Sequence, residues 1–293
     1  MSGQRVIERA LPWVLRLTWV AVAVAGGAAV DGIASSAPVR DTAVWGGAAI
    51  WTVGVAAMAI PAVTSLTAVR TLVPVSVPAA AGAWAAGAPA TDGALFLGAA
   101  LLATAICCSA DVGRVFVQAS AYGAEDRHLL RPPPAYLLAV VIAWSILTAM
   151  LISGPLLLAD GRWAIGGALV GLAAAGGVWA WPRFHRLSRR WLVVVPVGLV
   201  VHDHLVLAET LMLRRGEIAS VRLAPRATEA ADLTGPAAGH ALEITVVEPV
   251  TAILAAGPRR PRGKVIHLTA ALVAPTRPGK ALASVGGRRL PVG

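Results

Sequence analysis

Six long runs of apolar residues constrain this chain more than any other feature of its sequence. A helix needs about 20 apolar residues to cross the hydrocarbon core of a bilayer. The predicted spans cover residues 11–30, 44–66, 72–90, 94–110, 135–159 and 163–181. The third is the weakest, because alanine contributes little to insertion and Pro74 and Pro78 lie inside it. The sequence therefore predicts a membrane α-helical bundle, with a re-entrant pair as the alternative for the third and fourth segments.

Composition excludes the other broad classes of protein. Hydrophobic residues make up 57% of the chain and charged residues 14%, whereas soluble domains carry roughly 25% charged residues. Disordered segments have the opposite composition. The only cysteines, Cys107 and Cys108, are neighbours, which excludes a disulfide scaffold. We expect both thiols to be buried and inert.

The positive charge is concentrated at the C-terminal end. Residues 1–182 hold 9 Arg against 8 Asp and Glu, whereas residues 183–293 hold 14 Arg and 2 Lys against 7 Asp and Glu. The second segment therefore carries +9 of the net charge of +10. We predict two domains, a transmembrane helical domain at 1–182 and a basic, β-rich domain in water at 183–293.

The arginines in the loops predict the orientation in the membrane. With a cytoplasmic N-terminus, the inside segments hold ten arginines and the outside loops hold only Arg40 and Arg162. The inside arginines are Arg5, Arg9, Arg70, Arg114, Arg127, Arg131, Arg183, Arg186, Arg189 and Arg190. We therefore expect a multi-pass protein of the plasma (inner) membrane with both termini in the cytoplasm. The alternative for the first span is a cleaved signal peptide, with small residues at 34–37 for cleavage.

Ionisable groups are almost absent from the predicted spans. Arg16 lies near the cytoplasmic end of the first span, and no Asp, Glu, His or Lys lies at mid-depth. Coupled transport usually needs such groups. A water-filled cavity would favour transport, and a dry bundle would favour a scaffold. The residues that would line such a cavity are Thr18, Thr52, Ser65, Thr104, Ser145 and Thr148. Gly167 and Gly171 form a GxxxG pair, which predicts close helix packing within the chain or, as the alternative, a homodimer seam.

Short apolar runs replace the long ones after Pro182. Trp191–Val195 and Gly198–His202 predict a hairpin that turns at Pro196 and Val197. Further predicted strands cover residues 206–207, 210–213, 218–223, 241–247 and 264–268, and a short helix is predicted at 278–285. Polar loops are predicted at 225–239 and 257–263. This pattern predicts a small twisted sheet or a partly open barrel.

Two segments carry a resemblance to known proteins. Residues 190–203, Arg-Trp-Leu-Val-Val-Val-Pro-Val-Gly-Leu-Val-Val-His-Asp, with Arg-Arg-Gly-Glu-Ile at 214–218, resemble the opening of bacterial PH-like domains. The whole chain resembles uncharacterised multi-pass membrane proteins of actinobacteria, through Ser-Ala-Tyr-Gly-Ala-Glu at 120–125, Leu-Arg-Pro-Pro at 130–133 and the run 191–203. The resemblance implies a PH-like fold and a membrane location, and it brings no catalytic motif.

The remaining motifs predict little chemistry. His202, Asp203 and His204 alternate between the faces of a strand, so they do not converge on a metal. Phosphate-loop and hydrolase motifs are absent from the sequence. We therefore expect no enzyme activity, catalytic residue, cofactor, metal or nucleic-acid partner. The mixed charges of the inside loop 111–134 predict a solvated face, or alternatively a segment that docks on the C-terminal domain.

The sequence thus favours a non-enzymatic scaffold, or a lipid- or protein-binding component. Its alternative is a small-molecule transporter or channel subunit. The candidate lipid-headgroup ligands are Arg183, Arg186, Arg189 and Arg190, which we call the collar. If the sixth helix continues past Pro182, three of these lie on one face, at the depth where each contributes about 1 kcal/mol near an anionic surface. The expected partners are the bilayer, anionic lipids and a protein bound at the C-terminal domain.

Overall fold

The computed structural model describes residues 2–256 and 263–293, with side chains from residue 10 onward. Two compact units divide the chain. The first comprises residues 1–116 and 140–184, and the second comprises residues 117–139 and 185–293. The boundary after Phe184 lies close to the predicted one at 182/183. Residues 117–139, which we predicted to belong to the membrane domain, are part of the second unit instead. The predicted loop 257–263 lies outside the described residues except for Gly263.

Eight helices account for the apolar runs. They are α1 (Ser2–Asp31), α2 (Ala37–Ala59), α3 (Val63–Leu72), α4 (Ser76–Ala85), α5 (Ala90–Cys107), α6 (Ala110–Gln118), α7 (Pro134–Ala159) and α8 (Trp163–Ser188). In the described part of the chain, six helical segments are long and apolar enough to cross a membrane, with α3 and α4 joined as one segment of 23 residues. The prediction of six long apolar helices is therefore confirmed, and these helices support a multi-pass membrane protein.

The boundaries of the second and third spans differ from the predicted ones. The second helix ends at Ala59, and the third begins at Val63 rather than at residue 72. Pro61 explains the early break, because proline has no backbone N–H and disfavours the helical conformation of the residue before it. Inside the third span, Pro74 lies in a single 3₁₀ turn, Val73–Val75, that joins α3 to α4. A 3₁₀ turn lets the chain continue in the same direction across a proline.

Two tryptophans join α1 to α2 in the first unit. The indole of Trp19 donates to the carbonyl of Trp51 at 3.0 Å, and the indole of Trp51 donates to the carbonyl of Trp19 at 2.9 Å. Gly54 allows this contact, because a Cβ at that position would lie 2.8 Å from Nε1 of Trp19. Both indole N–H groups are thereby satisfied, as a water-poor environment requires.

The packing of α7 against α8 depends on glycines other than the predicted pair. A Cβ on Gly166 would lie 2.7 Å from the backbone nitrogen of Leu158, and a Cβ on Gly154 would lie 3.0 Å from Val170. A Cβ on Gly167 or Gly171 would meet no atom within 4 Å. The GxxxG pair is therefore not the contact that holds α7 and α8 together.

Two sheets and a helix build the second unit. Its strands are β1 (Asp126–Leu129), β2 (Arg190–Val195), β3 (Gly198–Asp203), β4 (Leu211–Arg214), β5 (Ile218–Leu223), β6 (Ala231–Asp232), β7 (Leu242–Leu254) and β8 (Lys264–Val273). One sheet has the order β1-β2-β3-β4 and is antiparallel throughout, and the other has the order β5-β7-β8-β6. The helix α9 (Pro278–Gly287) buries Ala281 and Val285 in the core between these elements. The prediction of a mainly β domain is confirmed; the predicted strand at 206–207 is only a single bridge, Leu207 to Leu254.

The strand β1 comes from the loop between α6 and α7. Asp126 pairs opposite Val194, and Leu129 pairs opposite Trp191. Leu130 then continues the pairing with Pro275 and belongs to the core of the second unit. The loop is therefore not a solvated face, and the alternative of docking on the C-terminal domain is correct. Because β1 and β2 share one sheet, the chain leaves this sheet for α7 and α8 and returns to it at β2.

Candidate functional site

The structure separates the four collar arginines. The guanidinium of Arg183 stacks on the ring of Trp179, with 3.7 Å from Cζ to the ring centroid. The helix α8 does continue past Pro182, but it ends at Ser188. Arg186 and Arg189 are exposed in the last helical turn and directly after it. Arg183 is exposed as well but belongs to the first unit, so Arg186 and Arg189 are the exposed collar residues of the second unit.

Arg190 is a buried structural residue rather than an exposed one. Its guanidinium makes a bidentate pair with the carboxylate of Asp203, at 2.7 Å from Nε and 2.6 Å from Nη2. The two side chains are 1% and 0% exposed. The third nitrogen, Nη1, donates to the carbonyl of Arg131 at 2.6 Å. Arg190 therefore does not belong to the collar face, because the chain has left the helix and entered β2 at this position.

A stack of cationic and aromatic side chains runs across the first sheet on the face that does not carry the core residues Leu192 and Val201. The guanidinium of Arg127 on β1 lies 5.3 Å from the ring of Trp191 on β2. Trp191 stacks on His202 of β3, with ring centroids 4.9 Å apart and an interplanar angle of 13°. His202 in turn contacts His204 edge-on at 4.3 Å. The antiparallel register places Trp191 directly opposite His202, which accounts for their contact. We call Arg127, Trp191, His202 and His204 the ring stack.

Polar contacts hold both ends of the ring stack in place. Glu125 pairs with Arg127 at 2.7 Å. The side chain of Gln118 accepts from the backbone N–H of Arg127 at 2.9 Å and donates to the carbonyl of Glu125 at 2.8 Å. At the other end, Nδ1 of His202 lies 3.1 Å from Oγ1 of Thr210. Side chains fixed in this way lose little rotamer entropy when they bind a ligand.

The surroundings of His202 are electropositive. Its pKa is lowered from 6.5 to about 4, first by burial and then by the charges of His204, Arg189 and Arg127. The carboxylate of Asp203 opposes this shift but is already paired with Arg190. Within the described ranges, Nε2 of His202 is buried and makes no hydrogen bond. Burial and these neighbouring charges together disfavour a further positive charge at His202.

Comparison with protein-family models, curated proteins and solved structures gave no match. The functional conclusion therefore depends on the geometry alone. Across residues 2–256 and 263–293, no group of three His, Cys, Asp or Glu side chains is placed to hold a metal ion. His202 and His204 do meet, but the carboxylate of Asp203 binds Arg190 instead of joining them.

Several of the hydroxyl groups predicted as cavity-lining bond to their own helices. Oγ1 of Thr18 donates to the carbonyl of Val14 at 2.6 Å, and Oγ of Ser145 donates to Val141 at 2.9 Å. Thr52 bonds Ala48 in the same way. The hydroxyl of Thr104 is buried and makes no hydrogen bond in the described part of the chain. The bonded hydroxyls are satisfied without water, which is the arrangement expected in a dry bundle.

The two thiols differ in their exposure. Cys107 is buried, as predicted, but Cys108 is exposed, and their sulfurs lie 3.9 Å apart. The side chain of Arg70 donates to the backbone carbonyls of Cys107 and Ser109 at 3.3 and 3.2 Å. Arg70 therefore caps the C-terminus of α5, where free carbonyls need donors.

Sequence patterns did not indicate Arg127 as a site residue. Arg127 lies among mixed charges, and its strand is only four residues long. The segment shows no alternation of polar and apolar residues, because Arg127 and the buried Leu129 are two apart and lie on the same face of the strand. The strand that pairs with this segment is β2, which the chain reaches only after α7 and α8.

Proposed function

We propose that this protein is a membrane-anchored scaffold whose β domain binds anionic headgroups through Arg186, Arg189 and the ring stack. The observation that carries the proposal is the ring stack itself, in which a guanidinium and three aromatic rings follow one another across the sheet. Arg189 is among the charges that lower the pKa of His202, so it lies near the stack. Arginine and aromatic side chains together suit a phosphate ester at the membrane–water interface. The guanidinium donates hydrogen bonds to phosphate oxygens, and amphipathic aromatic rings are enriched at the level of the lipid headgroups.

The net charge of the second unit supports this role. Residues 117–139 hold two Arg and two acidic residues, and residues 185–293 hold 13 Arg and 2 Lys against 7 acidic residues, so the unit carries +8. A surplus of this size exceeds what the flank of one helix needs for topology. It supports binding to a negatively charged surface.

We also propose that the β domain is PH-like and cytoplasmic. Two antiparallel-rich sheets followed by a C-terminal helix support a PH-like arrangement. The loop arginines support the cytoplasmic assignment through the positive-inside rule, and we place the protein in the plasma (inner) membrane on that ground. A cytoplasmic reporter fused at Gly293 is expected to be active, and one in the turn 159–162 is expected to behave as external. Accessibility of residue 293 from outside the cell would overturn the orientation.

Lipid retention tests the binding site directly. The full-length protein is extracted from native membranes, and its bound anionic and zwitterionic lipids are counted by native mass spectrometry. Arg186→Gln with Arg189→Gln is expected to weaken anionic retention roughly 30-fold, since two residues at about 1 kcal/mol each give that factor. Zwitterionic lipid is expected to stay unchanged.

A matched control separates a site from simple loss of charge. Arg226 and Lys264 are both exposed in the second unit, so Arg226→Gln with Lys264→Gln removes the same charge elsewhere. This control is expected to retain anionic lipid as the wild type does. Equal losses in both double variants, or none in the collar variant despite normal insertion, would contradict the proposed site.

A further inference from the structure

A second surface lies at the opposite end of the β2–β3 hairpin from Ser188, where α8 ends. It is an open hollow of about 510 Å³ at the turn of the hairpin. Its lining residues are Pro196, Val197, Met212, Arg214, Arg215 and Gly216, which we call the tip surface. Because β2 runs for six residues away from α8, the hollow is about 17 Å along the strand from Arg190. The tip surface therefore contains none of the collar or ring-stack residues, although Met212 lies on the same face of the sheet as Arg127, in one cross-strand row through Val193 and Val200.

The floor of the tip surface is apolar and exposed. Val197 is 58% exposed and Met212 is 50% exposed. An unbranched methionine adapts its shape to different apolar side chains, so it suits a binding surface. An open apolar surface of this kind can pack against one apolar side chain of a ligand.

The rim of the tip surface is positively charged. Arg214 and Arg215 are both exposed. Nη2 of Arg215 donates to the carbonyl of Arg288 at 2.8 Å and to that of Pro196 at 3.2 Å, which fixes its guanidinium beside the hollow. The same contact brings the chain segment of Arg288 and Arg289 next to the rim. Charge complementarity therefore favours an acidic ligand.

The strand β4 adds one free backbone position to this surface, Met212, because the outward N–H of Arg214 already donates to the carboxylate of Glu217 at 2.8 Å. The backbone N–H of Arg215 donates to the carbonyl of Val197 at 2.8 Å, so this pair is hydrogen-bonded across the two strands. Hydrogen-bonded pairs alternate in an antiparallel ladder, so Met212, opposite Val200, directs its N–H and C=O outward. Among the described residues, no strand pairs with that edge of β4. An extended peptide can therefore bond to the backbone of Met212 while it fills the hollow.

We propose that the tip surface binds an extended acidic segment of a partner protein. One apolar side chain of the segment occupies the hollow over Val197 and Met212, and flanking carboxylates pair with Arg214 and Arg215. The free backbone position of Met212 favours a peptide over a bilayer, because a bilayer offers no backbone to pair with it. This inference extends the scaffold role to a protein partner and does not depend on lipid binding at the collar.

The test uses the full-length protein in phosphatidylcholine nanodiscs and a fluorescein-labelled octapeptide that alternates Glu with Leu or Val. We expect saturable binding by fluorescence anisotropy, and no binding of the same peptide with Lys in place of Glu. Arg214→Glu with Arg215→Glu is expected to weaken binding at least about tenfold. Arg226→Glu with Lys264→Glu, the same charge reversal elsewhere in the unit, is expected to leave it unchanged.

Hydrogen exchange gives a second readout on the same samples. The peptide is expected to slow exchange at Val197 and at residues 212–216, and unchanged exchange across β3 verifies that each variant is folded. Equal affinity for the two double variants would overturn the proposal. So would protection of the tip surface by nanodiscs rich in phosphatidylglycerol without any protection by the peptide, since the ligand would then be a membrane.

Discussion

Removal of one partner of the Arg190–Asp203 pair is expected to destabilise the β2–β3 hairpin strongly. Asp203→Asn leaves a fully buried guanidinium without its counter-charge. Breaking a buried pair in this way costs about 3–5 kcal/mol. Because 1.36 kcal/mol is a factor of ten, the local opening of the hairpin should increase roughly 150- to 5000-fold. Hydrogen exchange of the full-length protein in detergent, followed by mass spectrometry of peptides from β2 and β3, measures this factor.

The double variant Arg190→Met with Asp203→Leu distinguishes the loss of the ion pair from the effect of leaving one buried charge unpaired. An apolar pair of similar size avoids the unpaired charge, so we expect less exchange than in either single variant. Recovery stays incomplete, because the carbonyl of Arg131 loses its donor and the N–H of Leu205 loses the Asp203 oxygen that accepts from it at 3.1 Å. A single variant that changes exchange by less than about tenfold would refute the role of the pair.

The remaining predictions concern packing, pH and the inserted segment. Gly166→Ala is expected to lower the melting temperature in detergent by several degrees, because overpacking costs about 1–3 kcal/mol, whereas Gly167→Ala leaves it unchanged. Equal effects would contradict the packing described for α8. The depressed pKa of His202 means that the unfolded state binds the proton first, so hairpin stability should fall from pH 6.5 to about pH 4 and then level off. His202→Gln should remove this dependence, and an unchanged pH profile of hydrogen exchange would contradict it. Residues 188–293 expressed alone should give a strand-dominated circular dichroism spectrum but a weak melt, and joining residues 117–133 in front through a Gly-Ser linker should make the melt cooperative. A helix-dominated spectrum would contradict the β-rich fold.

Local signals in the sequence were sufficient to predict the β2–β3 hairpin. Valine-rich runs on both sides of Pro196 and Val197 favour strands, and the observed strands extend the predicted ones by a single residue each. The helix predicted at 278–285 is present as Pro278–Gly287, because Pro278 at its start and the glycines at its end are local signals. The hairpin and this helix can be predicted from the sequence because neighbouring residues determine them.

The errors occurred where a distant residue determines the outcome. In the sequence, Arg190 is one more basic residue beside a predicted membrane helix. Only its position opposite Asp203 in the hairpin makes it a core residue. The segment 126–129 has too few apolar residues to predict a strand. It forms one because it pairs with β2. For the candidate site, Arg186 and Arg189 were predicted from charge alone. The ring stack depends on register across three strands, and the sequence did not reveal it.

The insertion of β1 into the second unit has a consequence for the order of events during synthesis. The whole of α7 and α8 leaves the ribosome between β1 and its partner β2, and Pro275, the partner of Leu130, follows much later. At about 5–20 residues per second, β1 waits roughly 3–13 s for β2, and about 7–30 s for Pro275. The two helices therefore enter the bilayer before the β domain can close, and Leu129 and Leu130 stay uncovered until it does. Proteins that bind nascent apolar segments have their longest access to this chain at that stage.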